Sequence, residues 1–226
     1  IDPTHAGVSA ALRPGVPPHE IHEGSNTTHY SVIDRWGNAV SVTYTLNDWF
    51  GAKVTAAGTG VLLNNEMDDF TVKIGVPNLY GLVQGQANAI APGKRPLSSM
   101  SPTIVSQDGK PVMVVGTPGG SRIITAVLQT IVHAIDYGMN VQEAVDAPRF
   151  HQQWLPDVTS AEAYAFSPDT RKLLEDMGHK IGSPQPANHL SAIIVGAPSL
   201  GGKPVGRNRF YGANDPRRNS GLAAGY

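Results

Sequence analysis

The chain has 226 residues, a formal net charge of −1 and no cysteine. The lack of cysteine excludes disulfides, thiolate zinc sites and a cysteine nucleophile, and the balanced charge gives no basic excess for binding nucleic acid or anionic lipid. No apolar run is long enough to span a membrane, and 40% hydrophobic with 15% charged residues predicts a packed globular protein.

Residues 1–26 are rich in proline, glycine and histidine and show no apolar periodicity. We expect them to form a mobile arm in front of one folded domain of residues 27–226. The first residue is Ile1 rather than methionine, and no signal peptide is visible. The chain is therefore expected to be a processed product or a fragment.

A period-two alternation of polar and apolar residues begins at Thr27 and predicts a β-hairpin. The link of residues 35–37 fits a three-residue turn whose glycine takes the left-handed conformation. This turn places Thr27 opposite Thr45, and Asn47 lies two residues further along the same face. The hairpin therefore gathers three polar side chains into one row.

Thr27 stands where the arm gives way to the strand-forming domain. Cleavage before it would free an α-amine, which titrates at about pH 7.7–8.0 and can take the proton of the threonine's own hydroxyl. Threonine is also common in strands, and Asn26-Thr27-Thr28 matches a glycosylation sequon. The position at the start of the domain favours an N-terminal nucleophile.

The segment of residues 50–101 is punctuated by glycine and proline and is predicted to be mostly loop. A loop region this long is often functional. Residues 61–63 are expected to form a brief buried strand. Ser98 and Ser99 by themselves resemble an ordinary polar turn.

Glu66, Asp68 and Asp69 form an acidic cluster within this segment. Such a cluster can bind a metal or a cationic group, or it can be part of a solvated loop. The eight histidines show no spacing typical of a metal site, and no cofactor is expected. The residues alone therefore leave the role of the cluster open.

Residues 103–106 and 111–115 flank Asp108-Gly109, which predicts a second hairpin. Residues 116–121 follow at once and contain adjacent glycines before a predicted helix. Their N–H groups can hold an oxyanion at the positive end of that helix, although a flexible strand-to-helix turn is the simpler interpretation. A P-loop is excluded because the lysine is missing.

The rest of the chain alternates helices with closing strands. Ser121 is expected to cap the first helix and Gly138 to follow its end. The order of elements predicts an α+β fold, an antiparallel sheet with helices on one face that is half of a larger sandwich. The remaining predicted elements are helices at 141–146 and from Pro168 to near Gly178, and strands at Ile181, 190–195 and 205–211.

Taken together, these motifs resemble the γ-glutamyltransferase (γ-glutamyl transpeptidase) family of N-terminal nucleophile hydrolases. The resemblance covers residues 27–226 and is specific, because several long motifs occur in the same order. The motifs lie at residues 27–31, 42–47, 62–70, 95–103, 116–122, 147–151 and 212–217.

The resemblance implies an αββα sandwich and an autocatalytic cleavage between Asn26 and Thr27. Thr27 would then attack the γ-amide of glutathione or glutamine and carry the γ-glutamyl group as an ester. The N–H groups of Gly119 and Gly120 would hold the oxyanion. Thr45 would lie near the Thr27 amine, in agreement with the hairpin register.

The resemblance also implies partners. Residues 1–26 would be the tail of a large subunit, and that subunit would supply a substrate-binding arginine that this chain lacks. The second substrate would be water or an amine, and the location periplasmic or secreted. The implied substrate-binding residues are Asn47, Glu66 and Asp69 at the α-amino end, Ser98 and Ser99 at the α-carboxylate, and Tyr80 in a lid region.

Two alternatives remain open. A related acylase of glutaryl cephalosporins would share the nucleophile but would not need a site for an ammonium group, so the Glu66 and Asp69 pair favours the transferase. A non-catalytic domain of the same fold would stay uncut, and the presence of Thr27 with the paired glycines argues against it.

Overall fold

The structure, a computed structural model, describes residues 4–5, 27–184, 188–217 and 221–225. The predicted arm of residues 1–26 lies outside this range apart from Thr4 and His5. The strands are β1 (Thr28–Ile33), β2 (Ala39–Tyr44), β3 (Thr103–Gln107), β4 (Lys110–Gly116), β5 (Phe150–His151), β6 (Thr159–Ala161), β7 (Ile181–Pro184), β8 (Ser191–Val195) and β9 (Phe210–Asn214). The helices are α1 (Arg122–Ile135), α2 (Val141–Asp146) and α3 (Pro168–Asp176).

The chain divides into two compact units, each built from separate stretches of sequence. The sheet unit consists of residues 27–44, 100–149 and 187–226. The loop unit consists of residues 1–26, 45–99 and 150–186. The predicted nucleophile therefore belongs to the sheet unit and the acidic cluster to the loop unit.

The first hairpin of the sheet unit confirms the predicted register. The strands pair antiparallel from Ile33 opposite Ala39 to Thr28 opposite Tyr44, and Gly37 turns the chain with a φ of 90°. Thr27 comes directly before β1 and Thr45 directly after β2. The pairing ends one residue short of them, so their own pairing stays a prediction.

The main sheet of this unit is antiparallel, with the strand order β3-β4-β8-β9. The predicted turn at Asp108 and Gly109 is confirmed, since both have positive φ angles, 51° and 75°. The prediction of a strand over residues 205–211 is wrong for its first half, and β9 begins only at Phe210. Gly206 has a φ of 62°, and this left-handed residue interrupts the extended backbone.

The sheet unit has three layers in the order hairpin, sheet and helices. The hairpin turns its polar face to the sheet, where the Ser31 hydroxyl donates to the Ser191 carbonyl (3.4 Å) and the Ser41 hydroxyl to the Val115 carbonyl (3.2 Å). The opposite face of the sheet packs on α1 and α2 in the hydrophobic core. The outer hairpin face carries exposed apolar side chains, namely Tyr30, Val32, Val40 and Tyr44.

Helix α1 is confirmed, but it is apolar on two sides. Ile124, Leu128 and Ile135 recur at helical spacing, and these three are about half exposed. A second row, one position away, faces the core instead. That buried row is Ile123, Ala126, Val127, Thr130 and Ala134.

The two shorter helices were predicted correctly. A capping box at Asn140 and Glu143 starts α2. The Ser167 hydroxyl accepts the Thr170 N–H at the start of α3, where Pro168 occupies the first turn. In the described part of the chain, no helix has the length and hydrophobicity that crossing a bilayer requires.

The loop unit contains the small sheet β5-β6-β7, in which β6 and β7 run parallel. Its residues 45–99 are mostly loop, as predicted, with short 3₁₀ turns at Glu66–Asp69 and Gln86–Asn88. The predicted buried strand at residues 61–63 is wrong. Leu62 forms only an isolated bridge to Thr55, and the side chains of 61–63 are exposed, because an apolar run alone does not fix burial.

A buried ion pair joins the last strand of the sheet unit to its helical layer. The Arg149 guanidinium donates to the Asp215 carboxylate at 2.7 Å, and the Leu190 N–H donates to the same carboxylate. Burial alone would raise the pKa of Asp215, but the Arg149 charge and the hydrogen bonds from Leu190 and Arg217 hold it below its usual value.

We expect Asp215→Ala to lower the free energy of unfolding by about 3–5 kcal/mol, because it leaves the Arg149 charge buried without its counter-ion. The stabilisation by Asp215 should be fully present above about pH 4 and disappear as the pH falls through its lowered pKa. Urea denaturation at several pH values measures both effects. Asp176→Ala, which breaks a solvent-exposed pair with Lys172, is the control and should change little.

Candidate active site

The sheet unit contains the predicted nucleophile. Thr27 lies at the very start of β1 and is only 7% exposed. Its strand packs through its polar face on β4 and β8, and β4 leads directly into residues 116–121, which we call the glycine loop. The hairpin and the glycine loop are thus parts of one compact unit.

The glycine loop presents two buried N–H groups. Gly119 has a φ of 131° and Gly120 a φ of 57°. Their carbonyls accept the N–H groups of Arg122 and Ile123 in the first turn of α1 (both 3.2 Å). Within the described residues, no group accepts a hydrogen bond from the N–H of either glycine. Buried backbone N–H groups are nearly always paired, so two adjacent unpaired ones are unusual.

His29 secures the base of the glycine loop. Its Nδ1 lies 2.8 Å from the Thr43 hydroxyl and its Nε2 lies 3.0 Å from the Ser31 hydroxyl. A Cβ added to Gly116 would collide with the imidazole ring, so only glycine fits there while the ring stays in place. Burial lowers the pKa of His29 to about 4, and the ring is therefore neutral at pH 7.

Asn188 packs on the loop from the segment before β8. A Cβ added to Gly119 would fall on the Asn188 carboxamide. The side chain is buried, and none of the described residues accepts a hydrogen bond from its Nδ2. The Thr117 hydroxyl donates to the carbonyl of His189 (3.0 Å), which fixes this segment beside the loop.

In the loop unit, Thr45, Asn47 and Tyr80 are directly connected. The Asn47 N–H donates to the Thr45 hydroxyl (2.8 Å), and the Tyr80 hydroxyl donates to the Asn47 carbonyl (3.1 Å). Asn47 is buried with a φ of 74°. An ordinary residue in this conformation costs about 1–3 kcal/mol and is found most often at functional sites. The two hydrogen bonds hold it there.

Glu66 and Asp69 lie at the two ends of the 3₁₀ turn. Burial, together with the charge of Asp69 and a hydrogen bond to it, raises the pKa of Glu66 to about 7. Burial also raises the pKa of Asp69. One oxygen of Glu66, Oε1, is buried without a partner in the part of the chain described. Glu66 is therefore partly protonated near neutral pH, and no positively charged side chain pairs with either carboxyl among the described residues.

Asp68, the third acidic residue, has a different environment. Its carboxylate accepts the Leu79 N–H (3.0 Å), and so it fixes the loop that carries Tyr80. Burial, and then the charges of Asp69 and Glu66, raise the pKa of Tyr80, which keeps its hydroxyl protonated as a donor. Of the three acidic residues, Asp68 therefore supports the loop, whereas Glu66 and Asp69 form a carboxyl pair.

The predicted site residues fall into two groups, one in each unit. Their assembly into a single site stays a prediction. Among the described residues, no group of three acidic or histidine side chains is placed to hold a metal ion. The sheet unit holds Thr27, Gly119 and Gly120, and the loop unit holds Thr45, Asn47, Glu66, Asp69, Tyr80, Ser98 and Ser99.

Two residues at the glycine loop had not been identified from sequence. The alternation of Thr27, His29 and Ser31 on one strand face was a usable signal for His29, because three polar residues in a row predict a polar interface. Asn188 carries no such signal. It meets Gly119 only through the fold, from 69 positions further along the chain.

The comparisons with known proteins agree with one another. The model of the family Gamma-glutamyltranspeptidase matches residues 1–225. The chain is 75% identical over 226 residues to the glutathione hydrolase proenzyme of Pseudomonas sp. (strain A14), and 56% identical over 227 residues to that of Escherichia coli K12. Both alignments cover 100% of this chain but only 39% and 37% of the respective proenzymes.

The fold agrees as well. A crystal structure of Helicobacter pylori γ-glutamyltranspeptidase superposes with a TM-score of 0.76 at 55% identity, covering 84% of this chain and 100% of the other. The fold is therefore the α+β fold of the N-terminal nucleophile hydrolases, as predicted. The chain spans about two fifths of the length of the proenzymes it matches. It belongs to the γ-glutamyltranspeptidase family.

Proposed function

We propose that the protein, completed by the rest of its precursor, transfers γ-glutamyl groups from glutathione, glutamine or related donors to water or to an amine. The observation that carries this proposal is the pair of N–H groups at Gly119 and Gly120, which have no acceptor among the described residues and lie in the same unit as Thr27. Such a pair suits an oxyanion, and one donor of this kind contributes about 10²–10³ in rate.

The proposed reaction starts once the Asn26–Thr27 bond has been cut. The α-amine of Thr27 takes the hydroxyl proton while Oγ1 attacks the γ-carbonyl carbon. The charge that develops on the carbonyl oxygen is held by Gly119 and Gly120. The protonated amine then passes its proton to the leaving amine, the C–N bond breaks, and a γ-glutamyl ester of Thr27 remains. Water or an amine attacks this ester by the same route and restores the hydroxyl.

The carboxyl pair supports a γ-glutamyl rather than a simple acyl substrate. Glu66 and Asp69 are partly buried, adjacent and without a cationic partner among the described residues. The α-ammonium of a γ-glutamyl group would supply the positive charge. Asn47 stands next to this turn, since its Nδ2 donates to the Asn65 carbonyl (3.3 Å). We assign Ser98 and Ser99 to the α-carboxylate and Tyr80 to the support of Asn47.

The proposed protein partner is the remaining, larger part of the precursor. The family's proenzymes are more than twice as long as this chain. The outer face of the first hairpin is apolar and exposed, and in the described residues β1 and β2 pair only with each other. A further layer of the sandwich on this face would bury it. We place the assembled protein in the periplasm or outside the cell on family grounds.

Replacing the nucleophile tests the proposal directly. In the complete precursor, Thr27→Ala should abolish both chain cleavage and hydrolysis of γ-glutamyl-p-nitroanilide, whereas Thr27→Ser should retain part of both. Thr28→Ala is the matched control, because Thr28 is exposed on the other strand face. Gel electrophoresis and mass spectrometry follow the cleavage. A cleaved Thr27→Ala protein would contradict the assignment.

Neutralising the carboxyl pair distinguishes the transferase from the glutaryl acylase. Glu66→Gln combined with Asp69→Asn should lower kcat/KM for a γ-glutamyl donor by at least a hundredfold, because charged hydrogen bonds contribute about 1.5–3 kcal/mol each. Hydrolysis of a glutaryl amide, which has no ammonium group, should change less than threefold. Equal losses on both substrates would contradict a role in binding the ammonium.

The raised pKa of Glu66 predicts a pH dependence. Below about pH 7 the pair carries one negative charge, and above it carries two, so attraction for the α-ammonium grows as the pH rises. We expect kcat/KM for the donor to increase through about pH 7. Glu66→Gln should remove this step and leave any ionisation of the Thr27 amine. An unchanged pH profile in Glu66→Gln would refute the explanation.

A further inference from the structure

We propose that Asn188 is a positioning residue for the two oxyanion-binding N–H groups of the glycine loop. The inference rests on the proposed function and adds to it a residue outside the predicted site. Its basis is the packing of one buried carboxamide on the backbone of Gly119.

The contact between Asn188 and Gly119 is close and specific. The space that a Cβ of residue 119 would need is filled by the Oδ1, Cγ and Nδ2 atoms of Asn188. Gly119 also has a φ of 131°, which side chains rarely adopt. The carboxamide thus holds the loop backbone at Gly119, which has no side chain to restrain its own conformation.

Burial makes this contact significant. Asn188 is 6% exposed, and no acceptor for its Nδ2 exists among the described residues. A core position without a hydrogen-bond role would favour an apolar residue of similar size, because a buried unpaired amide is costly. A polar, planar group in this place instead provides a dipole beside the N–H groups that receive the developing charge.

The two residues that follow Asn188 are both anchored. The Thr117 hydroxyl holds the His189 carbonyl, and the buried Asp215 carboxylate accepts the Leu190 N–H (3.0 Å). Asn188 therefore cannot move away from the loop without breaking contacts of its neighbours. We infer that it orients the Gly119–Gly120 peptide rather than binding the glutamyl group.

The first test uses the complete precursor and γ-glutamyl-p-nitroanilide. Asn188→Leu, which keeps the branched shape, and Asn188→Ala should lower kcat at least tenfold and change KM less than threefold. Asn140→Ala, which loses the cap of α2, controls for a general loss of stability and should keep its kcat. Wild-type kcat in Asn188→Leu would overturn the inference. An inactive wild-type protein would instead overturn the proposed function, and this inference with it.

Two further variants separate positioning from simple packing. Asn188→Asp keeps the shape but is charged at high pH, so its activity relative to the wild type should rise as the pH falls from 8 to 5. Gly119→Ala collides with the carboxamide, and its loss of kcat should be smaller in an Asn188→Ala background. A pH-independent ratio for Asn188→Asp would show that Asn188 only fills space, and strictly multiplicative losses in the double variant would show that it does not act through Gly119.

Discussion

A polar interface between two β layers is the constraint on which the sheet unit depends. The first hairpin meets the main sheet through hydroxyl and imidazole groups, and each of these groups must find a partner because buried polar groups without one are costly. Ser31 and Ser41 bond to backbone carbonyls of β8 and β4, and His29 occupies the space that glycine leaves at position 116. These contacts fix the register between the strand of Thr27 and the strand that ends in the glycine loop.

The chemistry of the loop unit follows from acidic side chains whose negative charge no described residue compensates. Its 3₁₀ turn is held by the backbone and side chains of residues 78–88, so that Glu66 and Asp69 remain close although they repel each other. Asn47 is kept in a strained conformation by hydrogen bonds at both its N–H and its carbonyl. Such unfavourable interactions are typical of functional sites, and the ammonium group of the proposed substrate would relieve those of the carboxyl pair.

Local sequence patterns predicted the helices and strands of this fold, whereas burial and long-range contacts could be seen only in the structure. The turn at residues 35–37 fixed the hairpin register, and Pro168 marked the start of α3, because each depends on neighbouring residues only. The exposed positions of residues 61–63 and of one face of α1 could not be predicted, since an apolar pattern does not say which surface covers it. Asn188 could not be identified from the sequence either, because it meets the glycine loop only through the fold. Thr27 and the paired glycines were candidates from the residues themselves, whereas the family resemblance assigned the role of the carboxyl pair. The union of these residues in one site remains a prediction.

The outward apolar face of the first hairpin has a consequence for biosynthesis. Strands with unpaired edges and exposed apolar faces associate readily with other copies of the chain until another layer covers them. If the larger part of the precursor covers this face, as proposed above, the association is intramolecular, at an effective concentration on the order of millimolar. Folding before cleavage would then protect the first hairpin from aggregation. The later cleavage before Thr27 would activate only chains that are already assembled.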